Sequence, residues 1–245
     1  MSGPDPRATL ALDAPPPTLA APSDVARLLA QEMRGLRVAW SPDLGLPVDP
    51  AVRAVLAPAR AALAGLGCQV TDAAPDLAGG DEVFRTWRAL RFLTAFGPLL
   101  RDHPGALGPN VAWNVERGQE LTLAELSQAT TLWAALAERV SAFFADFDVL
   151  ACPVTQVPPF DVDLDWVHEI DGVPQESYLD WMRSAYLITV TGLPAISVPA
   201  GFTPGGLPVG LQLVGRRRAD WHLLAVAAAF EQATGHARAA PSLPG

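Results

Sequence analysis

Lysine is missing from this 245-residue chain, whose 17 basic residues are all arginine. A lysine base or a lysine Schiff base therefore has no donor among these residues. Cysteine is scarce as well. Cys68 and Cys152 stand far apart and neither sits in a C-x-x-C, which excludes a disulfide framework or a zinc ribbon and leaves two reduced core thiols. The four histidines, His103, His168, His222 and His236, are scattered over loops and helix starts and read as exposed or capping groups. Positive charge is also in deficit. With 26 acidic residues and a net charge of -9, the chain lacks the field that attracts nucleic-acid backbones or anionic membranes, so neither is expected as a partner. Gly, Pro or Arg interrupts every apolar run before it reaches membrane-spanning length, and residues 1–22 hold no signal-like stretch; the expectation is a cytoplasmic protein. No G-x-S-x-G elbow, phosphate-binding loop, dinucleotide fingerprint or H-E-x-x-H helix is present.

What the chain does have is apolar material: 50% of its residues are hydrophobic and the mean hydropathy is +0.21, enough for a sizeable core. Residues 1–22, rich in Pro and Ala, read as an extended arm, and 23–245 as one domain. A short helix is expected over 23–32, then a buried strand over 36–40. Asp49-Pro50 caps a helix whose Val52, Val55, Leu56, Ala59, Leu63 and Leu66 recur at helical spacing, and an extended run starts at Cys68. Strand, helix, strand in that order predicts an α/β fold with a crossover. Helices follow over 81–100 and 122–145, a buried strand ends at Pro153, and 156–174 reads as a surface excursion. A helix over 178–190 precedes a hairpin, strand 195–198 to strand 210–214, and Asp220 is expected to cap a last amphipathic helix.

Few residues suggest chemistry by themselves. Asp161, Asp163 and Asp165 alternate beside His168, Glu169 and Asp171, but they lack the spacing of a calcium loop and read as a solvated turn; no metal site and no cofactor is expected. Arg216-Arg217-Arg218 reads as a run that caps a strand end or pairs with carboxylates, ahead of phosphate binding. Ser197 falls in a predicted buried strand, where its hydroxyl would bond to backbone. The stripe Phe84, Trp87, Leu90, Arg91, Leu93 and Thr94 reads first as core packing.

Three segments carry a resemblance. Asp148-Val149-Leu150 with Pro153-Val154-Thr155, then Thr191-Gly192-Leu193-Pro194-Ala195-Ile196-Ser197-Val198-Pro199, then Gly206-Leu207-Pro208-Val209-Gly210-Leu211-Gln212-Leu213-Val214-Gly215 resemble the C-terminal region of amidase signature enzymes. The last helix fits too, and Met1 to Arg7 resembles a family segment that lies just after the catalytic core. The resemblance implies a mixed sheet flanked by helices, the C-terminal half of the amidase signature fold. It implies hydrolysis of an amide C–N bond by a serine nucleophile, a bridging serine and a lysine base, with backbone N–H groups holding the oxyanion. With no lysine, no Ser-Ser or Ser-x-Ser pair and no Gly-Gly-Ser stretch, no catalytic residue can be assigned in this chain. Trp87, Arg91, Thr94 and Thr155 are then candidates for the substrate-pocket wall, against the core-packing reading of the same helix, and Thr189 stands where many relatives carry Asn. The expectation is the C-terminal part of an amidase, inactive alone, that meets a small amide substrate only when the N-terminal half is supplied. The alternatives are a non-catalytic binding or assembly protein, self-associating or partnered through an exposed sheet edge, and an enzyme with a new site at 161–171.

Overall fold

The computed structural model describes residues 33–103 and 105–238. The predicted arm and the helix expected over 23–32 lie outside these residues. Strand β1 (Arg37–Trp40), helix α1 (Pro50–Gly65) and strand β2 (Gln69–Asp72) form the expected crossover, with β1 and β2 parallel. Asp49 starts α1 by accepting a 2.7 Å hydrogen bond from Ala51 N, and Pro50 occupies the first turn, where its missing N–H costs nothing. Helices α2 (Gly80–Asp102), α3 (Pro109–Gln119) and α4 (Leu123–Asp146) follow, then strand β3 (Val149–Pro153). Thr122 and Glu125 close a reciprocal capping box at the start of α4. After a two-stranded hairpin, β4 (Glu169–Ile170) and β5 (Val173–Pro174), a 3-10 turn leads into α5 (Arg183–Thr189), β6 (Ala195–Phe202), β7 (Pro208–Gly215) and α6 (Asp220–Thr234).

The main sheet runs β2-β1-β3-β7-β6, parallel across its first three strands and antiparallel across the rest. Alternation of side chains sorts the core into two layers. Val38 and Trp40 of β1, Val149 and Ala151 of β3, and Leu211 and Leu213 of β7 pack with Leu56 and Leu63 of α1 and Phe230 of α6. Ala39, Leu150, Cys152 and Val214 point the other way, onto Leu136 and Val140 of α4 and Ile188 of α5. This is the expected mixed sheet flanked by helices. Both cysteines are free and buried, and burial pushes the Cys152 thiol up to about 12.

Several expectations need correction. Helix α3 is not among the expected elements, although Gly108-Pro109 is a start signal; a polar composition hides its periodicity. The excursion at 156–174 carries a hairpin turned by Asp171 and Gly172, both at positive φ, the Asp-Gly signature of a tight turn. It is anchored by buried Gln156 at its start and by buried Ile170 in the hairpin. Asp220 does not cap α6 but occupies its first turn, beside the helix dipole's positive end. Ser197 is exposed, because β6 is the sheet's edge and its alternation turns Ala195, Ser197 and Pro199 outward. On α2 the buried residues are Gly80, Val83, Thr86 and Ala89, so the aromatic stripe borders the core and does not fill it.

Candidate functional site

The side of α2 that carries Phe84, Trp87, Arg88, Arg91 and Phe92 lines a cleft of about 540 Å³. Trp133 of α4 forms a second wall, and Thr189 at the end of α5, with Val190 and Gly192 of the turn that follows, a third. These residues meet because α2 packs against α3, α4 and α5 at once. The contact with α3 is close: a Cβ at Gly118 would lie 2.5 Å from the Ala89 carbonyl oxygen, so only glycine lets the helices approach this far. Val190 and Gly192 flank Thr191, the first residue of the Thr-Gly-Leu-Pro turn that enters β6.

Each wall is held. The Trp133 indole donates to the Val190 carbonyl oxygen over 2.8 Å, joining α4 to the turn. Phe84 stacks on Tyr186 with centroids 4.1 Å apart and rings 4° from parallel. The Tyr186 hydroxyl donates to the Asp81 carboxylate; burial and that carboxylate together keep the phenol protonated above its ordinary range. The Thr189 hydroxyl donates to the Ala185 carbonyl oxygen over 3.1 Å, so its polarity is spent on its own helix. Trp87 is 38% exposed, an apolar ring open to the cleft.

Beneath the aromatic wall lies a charge cluster gathered around buried Asp180. Asp180, whose side chain is only 2% exposed, accepts from Arg85 at 2.5 Å and Arg183 at 3.1 Å and from the backbone N–H groups of Glu176 and Ser177. Burial opposes its ionisation, but the two N–H donors and two guanidiniums outweigh that and hold its carboxyl below the usual range. Arg85 also binds Asp81 at 2.9 Å, so the cluster ties α2 to the segment that enters α5. The next arginine, Arg88, donates through Nε to Asn114 Oδ1 (3.1 Å) and through Nη2 to the Tyr178 hydroxyl (2.9 Å), and its guanidinium lies 4.4 Å from the Phe92 centroid. Asn114 is buried and donates to the same hydroxyl at 2.5 Å.

Of the four candidate pocket residues, Trp87 and Arg91 line this cleft. Thr94 does not: it is exposed further along α2, its hydroxyl donating to Leu90 O over 2.9 Å. Thr155 does not either, since its hydroxyl donates to Val157 O after β3. Arg88, Phe92 and Val190 are additions from the fold; helical spacing from Phe84 places Arg88 and Phe92 on the same side of α2 as Arg91, but only the folded chain gives Arg88 its partners and brings Val190 to the cleft. The acidic run is locally satisfied. Asp161 accepts from Asp163 N, Asp165 from Trp166 N, and exposed His168 stands 3.5 Å from Asp165. Among the described residues no group of three or more His, Cys, Asp or Glu is placed to hold a metal ion. Arg216 pairs with Asp148 at 2.7 Å and donates to the Phe147 carbonyl, as a strand-end cap does. Among the described residues no helix is long and apolar enough to cross a membrane.

Comparison with known proteins agrees with this architecture. The family model for amidases matches residues 1–224. An acylamidase of Rhodococcus erythropolis is 34% identical over 206 residues, which cover 82% of this chain and 43% of that protein. A glutamyl-tRNA(Gln) amidotransferase component from Brevibacillus brevis is 41% identical over 95 residues, 39% of this chain and 18% of that one. Among solved structures, a bacterial aryl acylamidase of the amidase signature family superposes with a TM-score of 0.76 at 23% identity, covering 88% of this chain and 47% of that one. The 6-aminohexanoate cyclic dimer hydrolase superposes with a TM-score of 0.74 at 22% identity over 91% of this chain and 50% of its own. The chain thus spans less than half the length of the acylamidase it matches. On the strength of the family match and the shared mixed sheet, it belongs to the amidase signature family.

Proposed function

We propose that this chain supplies the substrate cleft of an enzyme that hydrolyses an amide C–N bond, and that it is inactive by itself. The observation that carries the reading is the aromatic cleft built against the Thr-Gly-Leu-Pro turn, within a chain that holds no lysine. The serine nucleophile, bridging hydroxyl and base would then come from polypeptide outside these 245 residues. The nucleophile attacks the carbonyl carbon, the amine leaves with a returned proton, and water releases the acid; the cleft's part is to hold the apolar body of the substrate. Two free thiols and the acidic charge support a reducing, cytoplasmic setting without nucleic-acid or membrane partners.

A second reading, a non-catalytic binding or assembly protein, is favoured by one feature: the outward face of β6 and its place at the edge of the sheet among the described residues. One experiment separates the two. The purified chain is assayed on p-nitroacetanilide alone and then co-expressed with the serine- and lysine-bearing portion of the acylamidase relative. The expected result is no turnover alone, turnover on complementation, and a changed acyl preference in Trp87→Ala. Turnover by the chain alone would overturn its inactivity. A stable dimer without complementation would favour assembly.

A further inference from the structure

Three arginines follow one another at helical spacing on α2, and their surroundings differ. Arg85 is neutralised by Asp81 and Asp180. Arg88 and Arg91, one and two turns on, have no carboxylate partner among the described residues, although the chain carries 26 acidic side chains. Both line the aromatic cleft. Arg88 is locked by neutral groups, Asn114 and Tyr178, with one face on Phe92. Arg91 is exposed at the cleft and makes no hydrogen bond or ion pair with any described residue. Two guanidiniums without a carboxylate partner, set beside apolar rings in an acidic protein, concentrate positive charge on this wall of the cleft.

We propose that the cleft selects an amide whose apolar or aromatic body carries a carboxylate, with Arg91 gripping the carboxylate and Arg88 adding charge beside it; this rests on the reading of the cleft as the substrate cleft. Phe84, Trp87, Trp133 and Val190 supply the apolar walls, and the planar fork of Arg91 matches a carboxylate with two parallel N–H donors. A ligand with an ammonium group at that end would be repelled.

The test uses the 245-residue chain and two probes of nearly equal shape, N-acetylphenylalanine and its neutral carboxamide, titrated by ligand-observed NMR. The carboxylate should bind about tenfold more tightly, as a charge-assisted bidentate pair provides. In Arg91→Gln the two probes should bind within about twofold of each other, and in Trp87→Ala both should weaken. Raising the salt from low to about 0.5 M should narrow the wild-type preference. Equal wild-type binding, with both probes weakened by Trp87→Ala, would overturn the carboxylate selection and leave the substrate-cleft reading standing. A preference that survives Arg91→Gln would overturn the assignment to Arg91. Binding of neither probe, or binding indifferent to Trp87→Ala, would overturn both readings.

Discussion

Trp133 on α4 donates its indole N–H to the carbonyl oxygen of Val190, 57 residues later in the chain, at 2.8 Å. This bond sets the distance between two walls of the cleft. Trp133→Phe keeps a ring in place but removes the donor, so stability should fall by about 1 kcal/mol. At roughly 2–4 °C per kcal/mol for a chain of this size, a thermal scan resolves the loss. Affinity for the carboxamide probe should fall in parallel; a full loss of stability with unchanged affinity would mean that the bond does not shape the cleft.

Arg85→Met should be costly. It leaves Asp180, 2% exposed, with Arg183 as its one remaining guanidinium partner, and removing one member of a buried pair costs about 3 kcal/mol. Arg60→Met is the control, since its pair with Asp72 is exposed at both ends and should be worth no more than about 0.5 kcal/mol. Urea unfolding of both variants would show the contrast.

Acid should unfold the chain in part through the same cluster. Asp180 is held below the usual carboxylate range against the opposing effect of burial, and so is Asp148 between Arg37 and Arg216. A depressed folded pKa contributes stability that is fully present above the unfolded value of about 3.9 and is lost as the pH falls through the folded value. Urea midpoints should therefore drop steeply below about pH 4. Asp180→Asn, less stable at neutral pH, should show a shallower acid slope; an unchanged slope would remove Asp180 from the account.

Two glycines should respond in opposite directions. Gly118→Ala drives a methyl group to 2.5 Å from the Ala89 carbonyl oxygen, an overpacking cost of about 1–3 kcal/mol that exceeds the roughly 1 kcal/mol gained in helix propensity. Gly65, at the end of α1, has open space around its Cβ position and an ordinary φ, so Gly65→Ala should stabilise by about 0.5 kcal/mol. Thermal midpoints of the two variants against wild type check both signs.

The layered architecture is legible in the sequence because the strands and the long amphipathic helices obey simple periods. Val38, Leu150 and Leu213 lie in apolar runs too short for helices, and Leu56, Leu136 and Phe230 recur on helical stripes. Ser197 departs from expectation because an apolar run does not reveal whether its strand is central or at an edge. Arg91 is legible as a candidate, but Arg88 is not, since its role comes from Asn114 and Tyr178, which only the folded chain brings to it. Thr155 matches the family motif, yet its side chain bonds to its own loop. Motif membership fixes a residue's place in the chain, not the direction in which its hydroxyl points.

Strand β1 has a partner that is made late. Arg37 N donates to Asp148 across 111 residues of sequence, and β3, the strand that begins one residue later, joins β1 to the antiparallel half of the sheet. At a synthesis rate of about 5–20 residues per second, β1 would wait roughly 5–20 s on the ribosome before its second neighbour exists. The β6–β7 hairpin, by contrast, pairs within a single short stretch and can close as soon as it emerges. Nascent chains should therefore hold an unsealed parallel pair, β1 with β2, from the emergence of β2 until that of β3, and this is the interval in which a chaperone would be engaged.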